Sequence, residues 1–270
     1  MPEGHTLFRL AADLNAVFAE RTVEVTSPQG RFAEGAAAVD GHVFERAESA
    51  GKHLFAEFSN GMIVHVHLGL IGMFAIQDGP PPDPVGALRL RIVSPDAYAD
   101  LRGAIICDLI DADKRALILT KLGPDPLRTD ADPDKAFVRI RKSKKPIGSL
   151  LMDQSVLAGV GNVYRAETLF RARLSPMTPG TKMSRRRWDS MWADLVDLME
   201  YGVQTGRIDT VLPEHEPDAM GRDARVDDHG GEVYVYRRHG QACHVCGGTI
   251  KTKVLEGRNL FWCPSCQRRR

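Results

Sequence analysis

The sequence predicts a multi-domain α+β fold: an N-terminal antiparallel β-sandwich with flanking helices, then a helical domain that leads into a four-cysteine finger. Three observations carry this. Short alternating or β-branched segments occupy residues 23–119, helix-period segments occupy most of the remaining chain, and two C-x2-C pairs stand near the end. At 270 residues the chain exceeds the usual single-domain length, and 43% hydrophobic residues are enough for sizeable cores.

The chain opens with helical spacing. Leu7, Leu10, Ala11, Leu14, Val17 and Phe18 fall on one stripe, so an amphipathic helix is expected beside the sheets. Strands are expected at Val43–Ala47, Leu54–Phe58, Met62–Val66, Leu88–Val93 and Ile105–Leu109. Turn residues separate them, notably Ser59-Asn60-Gly61 and the Gly79–Pro84 loop. Cys107 sits in an apolar strand and reads as a small buried hydrophobe.

Around Gly123-Pro124-Asp125-Pro126 the texture turns helical, which divides the chain into 1–124, 125–236 and a finger at 237–270. Helices are expected near Pro133–Arg141, Ile147–Asp153, Val163–Arg171 and Arg186–Tyr201. In the last of these, Trp188, Met191, Trp192, Leu195 and Leu198 form a core-facing stripe. Leu157-Ala158-Gly159-Val160-Gly161-Asn162 supplies the turn of a helix–turn–helix, with Asn162 as the cap of the next helix. Backbone amides at such a start, around Gly161, can seat a phosphate. The segment Gly206–Gly231 is acidic and aperiodic, and a loop of that length is expected to be functional or disordered.

Cys243-His244-Val245-Cys246 and Cys263-Pro264-Ser265-Cys266 lie sixteen residues apart, the spacing of a four-thiolate zinc site. Four thiolates close a tetrahedral ion, so one structural Zn2+ is expected and no open position for catalysis. Between the pairs, Thr249–Leu255 and Leu260–Trp262 read as strands joined by Glu256-Gly257-Arg258-Asn259, with Arg258 at the hairpin tip.

The net charge of +1 conceals strong segregation. Lys135, Arg139, Arg141, Lys142, Lys144 and Lys145 form one basic run, and Arg185, Arg186 and Arg187 a second. Arg237, Arg238, Lys251, Lys253, Arg258 and Arg268 to Arg270 face only Glu256. Three such clusters point to a phosphate backbone. No apolar run is long enough for a membrane span, and no signal-peptide layout is present, so a cytoplasmic monomer is expected.

Taken together, Met1-Pro2-Glu3-Gly4, Gly51-Lys52, Gly159-Val160-Gly161-Asn162-Val163-Tyr164, Tyr234-Val235-Tyr236 and Gly257-Arg258-Asn259-Leu260-Phe261-Trp262-Cys263-Pro264-Ser265-Cys266 resemble the formamidopyrimidine-DNA glycosylase/endonuclease VIII family. The resemblance runs nearly end to end. It implies a β-sandwich, a helix–two-turn–helix and a zinc finger, with damaged DNA between the two halves and the target nucleotide flipped out. It further implies a bifunctional glycosylase/AP lyase without a nucleotide cofactor. Loss of Met1 would expose Pro2 as the attacking amine, Glu3 would move protons at the sugar, and Lys52 would serve as a further acid/base or phosphate contact. Asn162 and Arg258 would hold phosphates, and Leu70 and Arg102 would meet the DNA near the vacated stack.

Two departures from the family pattern stand out. His5-Thr6 follows Pro2-Glu3-Gly4 where a carboxylate is frequent, and Gly103-Ala104 replaces the Arg-Phe pair of oxidised-purine enzymes. These favour the endonuclease VIII branch and oxidised pyrimidines. The alternatives are an oxidised-purine enzyme of the same fold and a non-catalytic zinc-finger DNA-binding protein.

Overall fold

The computed structural model describes residues 2–226 and 231–268, which divide into two compact units between Lys121 and Leu122. The division falls just before the expected boundary at 124, and the helical and four-cysteine parts share one unit.

The first unit runs α1 (Gly4–Phe18), β1 (Arg21–Thr22), β2 (Glu24–Thr26), α2 (Ala33–Val39), β3 (Val43–Ala50), β4 (His53–Phe58), β5 (Ile63–His67), β6 (Met73–Asp78), β7 (Leu88–Val93), β8 (Ala97–Arg102), β9 (Ile106–Ile110) and α3 (Ala112–Leu119). Its sheets, ordered β1-β3-β4-β5-β9 and β2-β7-β8-β6, are antiparallel throughout. Leu14, Phe18, Phe44, Phe58, Leu90, Ile92 and Leu101 from the helix and both sheets fill one core. Cys107 lies in that core at 3% exposure, and burial pushes its thiol up to about 12, so it behaves as the expected hydrophobe.

All five expected strands form, with β1, β2, β6 and β8 added. In β8 the alternation is masked by Asp100 and Arg102. Asp100 is tolerated at 8% exposure because Arg91, its register partner on β7, donates Nε and Nη2 to its two oxygens at 2.7 and 2.9 Å. The placement of α1 depends on Asn15. Its Oδ1 accepts from Ala47 N–H at 2.6 Å and its Nδ2 donates to Ala47 O at 2.9 Å, tying the helix to the strand that leads into the Lys52 turn.

The second unit contains α4 (Pro133–Arg141), α5 (Ile147–Leu150), α6 (Asn162–Arg171), α7 (Arg185–Thr205), α8 (Pro217–Met220) and the hairpin β10 (Lys251–Leu255) and β11 (Arg258–Trp262). The helix expected to reach Asp153 stops at Leu150. Asp153 Oδ1 accepts from Ser155 N–H and Oγ–H, a local turn that competes with helix continuation. Within the expected loop 206–231 lie a 3-10 turn at Pro213–His215 and α8, and Arg222 and the Arg225 N–H bind the Glu232 carboxylate at 2.7 and 2.5 Å. Residues 227–230 of that loop lie outside the described residues.

Every residue of α6 from Asn162 to Phe170 is buried, including two charged ones. The Glu167 carboxylate, fully buried, accepts from Thr210 Oγ1 at 2.7 Å and from the N–H groups of Tyr234, Val235 and Tyr236 at 2.7, 2.9 and 2.8 Å. Arg165 donates Nη1 to Gly148 O and Nη2 to Asn259 O at 3.3 and 3.0 Å. Glu167→Gln would aim an amide N–H at backbone N–H donors that need an acceptor. We expect a loss of about 2–4 kcal/mol, seen as a fall of roughly 5–12 °C in Tm; an unchanged Tm would mean the network carries little of the stability.

Candidate active site and nucleic-acid interface

Pro2 is half-buried and immediately precedes the N-terminus of α1, where Glu3 is the cap residue. Glu3 is 0% exposed, a position in which a carboxylate is costly unless hydrogen bonds and nearby positive charge offset it. The Thr6 hydroxyl accepts from Glu3 N–H at 3.4 Å, and Thr6 N–H donates to Glu3 O at 2.9 Å. Thr6 therefore closes the helix start and supplies no carboxylate. Beside it, His5 is pushed down to about 4 by burial, so its imidazole is neutral.

Lys52 occupies the two-residue turn between β3 and β4, half-buried, and α1 packs against both strands. Across β4 and β5 lies a cluster the sequence reading missed. His53 and His67 meet edge to face at 5.1 Å, and His53 Nδ1 lies 2.8 Å from His65 Nε2. Burial, reinforced by the neighbouring imidazoles, pushes His53 down to about 4, and burial does the same for His65. Burial and the Lys52 charge also lower His67, whose Nδ1 accepts from Gly69 N–H at 3.0 Å. An accepting Nδ1 on a neutral ring leaves the proton on Nε2. Lys52 thus adjoins neutral histidines at physiological pH. The i, i+2 spacing of His65 and His67, set against His53 on a neighbouring strand, was the available signal.

Leu70 lies in the β5–β6 turn at 51% exposure, so it is not core. Ile71 at 84%, Met73 at 56% and Ile105 at 65% join it as exposed aliphatic residues. Ile105 is seated against Gly69, where a Cβ would come within 2.6 Å of its Cγ2; with φ of +71° besides, that position accepts only glycine without strain. Arg102, about a third of whose side chain is exposed (33%), donates to Val85 O and, at 3.1 Å, to Asp100 Oδ2.

In the second unit Gly161 is the cap residue and Asn162 the first residue of α6, one position earlier than the sequence reading placed the helix start. The reason is packing: the Asn162 side chain is buried, donates Nδ2 to Asn259 O at 3.0 Å and accepts from Arg165. It pins the hairpin and does not cap the helix. Arg258 opens β11 opposite Leu255, because the turn is only Glu256-Gly257, both at positive φ. It remains exposed beside the tip, immediately before Asn259, which α6 anchors. Part of the basic run is engaged within the fold: Arg139 and Arg141 bind the carbonyls of Ser155 and Thr181, and Arg185 pairs with Asp134 and Asp189 at 2.8 and 2.7 Å.

Cys243, Cys246, Cys263 and Cys266 converge with all four sulfurs within 4.8 Å of one another. The Cys243–Cys266 and Cys246–Cys263 separations of 3.9 and 3.5 Å bracket the roughly 3.8 Å edge of a tetrahedron with Zn–S bonds of about 2.3 Å. Disulfide-bonded sulfurs would lie near 2.05 Å. The donor set fits one structural zinc ion that fastens the end of the hairpin remote from Arg258. Chelation should release one equivalent of zinc and alter the fluorescence of Trp262, which lies next to Cys263, with loss of DNA binding. Full retention of binding by metal-free protein would contradict this.

Comparison with known proteins agrees with this arrangement. Residues 1–104 match the model of the formamidopyrimidine-DNA glycosylase N-terminal domain, 122–212 its H2TH domain, and 240–269 the zinc finger found in FPG and IleRS. Over 271 aligned positions the chain is 51% identical to Endonuclease 8 1 of Mycobacterium tuberculosis, covering 99% of this chain and 100% of the relative. It is 29% identical to formamidopyrimidine-DNA glycosylase of Parasynechococcus marenigrum, covering 99% of each chain. The solved complex of Lactococcus lactis Fpg with an abasic-site DNA superposes with a TM-score of 0.78 at 19% identity, covering 99% of this chain and all of that one, which speaks to fold. The chain therefore belongs to the formamidopyrimidine-DNA glycosylase/endonuclease 8 family of base-excision-repair DNA glycosylase/AP lyases.

Proposed function

We propose that this chain removes oxidised bases from DNA, pyrimidines in preference to purines, through a Schiff base on Pro2 and cuts the strand by successive β- and δ-elimination. The observation that carries the reading is the fully buried Glu3 carboxylate at the helix start, adjacent in sequence to Pro2. An α-amino group has a pKa of roughly 8, and the positive end of α1 favours its neutral, nucleophilic form. Once Met1 is removed, the Pro2 nitrogen attacks C1′, loses its proton, and the base departs with the glycosidic electron pair; the C1′–O4′ bond then opens onto a protonated ring oxygen and the nitrogen lone pair completes an iminium. That iminium accepts the electrons released when C2′ loses a proton, and the 3′-phosphate leaves; repetition along the chain of the sugar expels the 5′-phosphate. Glu3 handles the proton at the ring oxygen. Lys52 supports a phosphate or a further proton transfer, its neighbours His53 and His67 being neutral.

The branch assignment rests on Gly103-Ala104, which cannot fill a vacated stack, and on the aliphatic group Leu70, Ile71 and Ile105, which can. In this reading Arg102, held by Asp100 and Val85, supports the loop, while Arg258 and Asn162 flank the backbone from the hairpin and α6. The 51% identity to Endonuclease 8 1 against 29% to a formamidopyrimidine-DNA glycosylase supports the same branch.

Two measurements test it. Excision from duplexes carrying 5-hydroxyuracil should exceed that from 8-oxoguanine by about tenfold or more; the reverse order would move the enzyme to oxidised purines. Glu3→Gln should slow base excision by about a hundred- to ten-thousand-fold while duplex affinity stays near the parent's. Equal excision by the two proteins would remove Glu3 from the mechanism.

A further inference from the structure

Beyond the site described, four guanidinium groups converge on the face of the second unit that lies past the C-terminal end of α6. Two adjoining concavities of about 460 and 530 Å³ share Arg173 and Arg187. Arg186 and the Asp194-paired Arg171 line the first; Arg268 lines the second beside Cys246, Ser265 and Cys266. Neither concavity is lined by a carboxylate; a third, which shares Arg173 with both, is lined by Asp194 and Glu214. Among the described residues, Arg173, Arg186, Arg187 and Arg268 take part in no ion pair, whereas Arg185 of the same basic triplet is committed to two aspartates.

Arg173 adds a second observation. It stands just past α6 with φ of +46°, and the Leu174 N–H donates to Leu169 O across it. This is the left-handed position that closes a helix and that glycine ordinarily fills, since a side chain there is strained. The strain accompanies a solvent-exposed guanidinium that packs into no core. Departures of this kind occur in natural proteins mainly at functional or strained sites.

We propose that this surface binds the sugar–phosphate backbone of a second duplex DNA segment, separate from the one held near Asn162 and Arg258. The inference rests on the reading of this chain as a DNA enzyme. The ten residues of α6 span about 15 Å, so Asn162 and Arg173 mark opposite ends of one buried helix. Guanidinium groups grip phosphate through paired N–H donors. A protein partner would want apolar anchors, and Val245 at 38% exposure is the one exposed large hydrophobe lining the two concavities. A four-thiolate zinc centre is anionic and draws on Arg268 and Arg187, but Arg186 lines the concavity that contains no cysteine. A second held segment would let the enzyme pass between duplexes without full release.

The test uses full-length, zinc-loaded protein and an undamaged 12-base-pair duplex, with stoichiometry read by sedimentation and affinity by fluorescence anisotropy. The parent should bind two duplexes at low salt. R173A/R187A/R268A should bind one, with single-turnover cleavage of an abasic-site duplex and zinc content unchanged. In the parent the second event should depend on salt, with a slope that falls by about 0.9 for each phosphate contact that a single arginine substitution removes. Arg173→Gly provides an independent check: it relieves the left-handed strain, so Tm should rise by a few degrees while the second event weakens. One duplex per parent molecule, with cleavage intact, would overturn the proposal and leave the enzyme reading standing. Preferential occupancy of this surface by poly-glutamate would also overturn it, making the partner an acidic peptide. Failure to bind or cleave any duplex would instead strike the enzyme reading itself.

Discussion

The second unit depends on a carboxylate with no contact to water. Glu167 sits inside a helix buried on all sides and gathers three consecutive backbone N–H groups, those of Tyr234, Val235 and Tyr236. Those groups lie in irregular chain, where no strand or helix would otherwise satisfy them. Earlier on α6, Asn162 and Arg165 hold the carbonyl of Asn259 and so anchor the hairpin that presents Arg258. Zinc fastens one end of the hairpin, and α6 fastens the region near its tip. The exposed arginine owes its position mainly to buried groups.

The first unit solves a similar problem with fewer parts. Asn15 exchanges two hydrogen bonds with Ala47 and thereby sets the helix whose start carries Glu3. Across β4 and β5, burial keeps His53 and His65 neutral down to about pH 4. Positive charge beside the Lys52 turn is therefore concentrated in Lys52 and does not spread over a histidine patch.

Much of this was legible in the residues. The zinc ligands follow from spacing alone, since C-x2-C pairs supply two close sulfurs from each of two turns. The strands expected from alternation all form, and α1 buries its predicted stripe at Leu7, Leu10, Ala11, Leu14 and Phe18. The features that escaped depend on partners distant in sequence. Asn162 reads as a cap because its partner, Asn259, lies 97 residues away. The histidine cluster needs the β4–β5 register, and β8 hides its alternation behind an Asp100 that only Arg91 makes tolerable in a buried place. The hairpin turn is shorter than four polar residues imply, because Glu256 joins Gly257 at positive φ.

Borohydride trapping on an abasic-site duplex, comparing mass-verified protein with and without Met1, tests the central claim most directly. The account predicts a covalent adduct only for the Met1-free form, with the cross-link mapped by peptide mass to Pro2. Equal trapping with Met1 in place, or a cross-link mapped to Lys52, would contradict it.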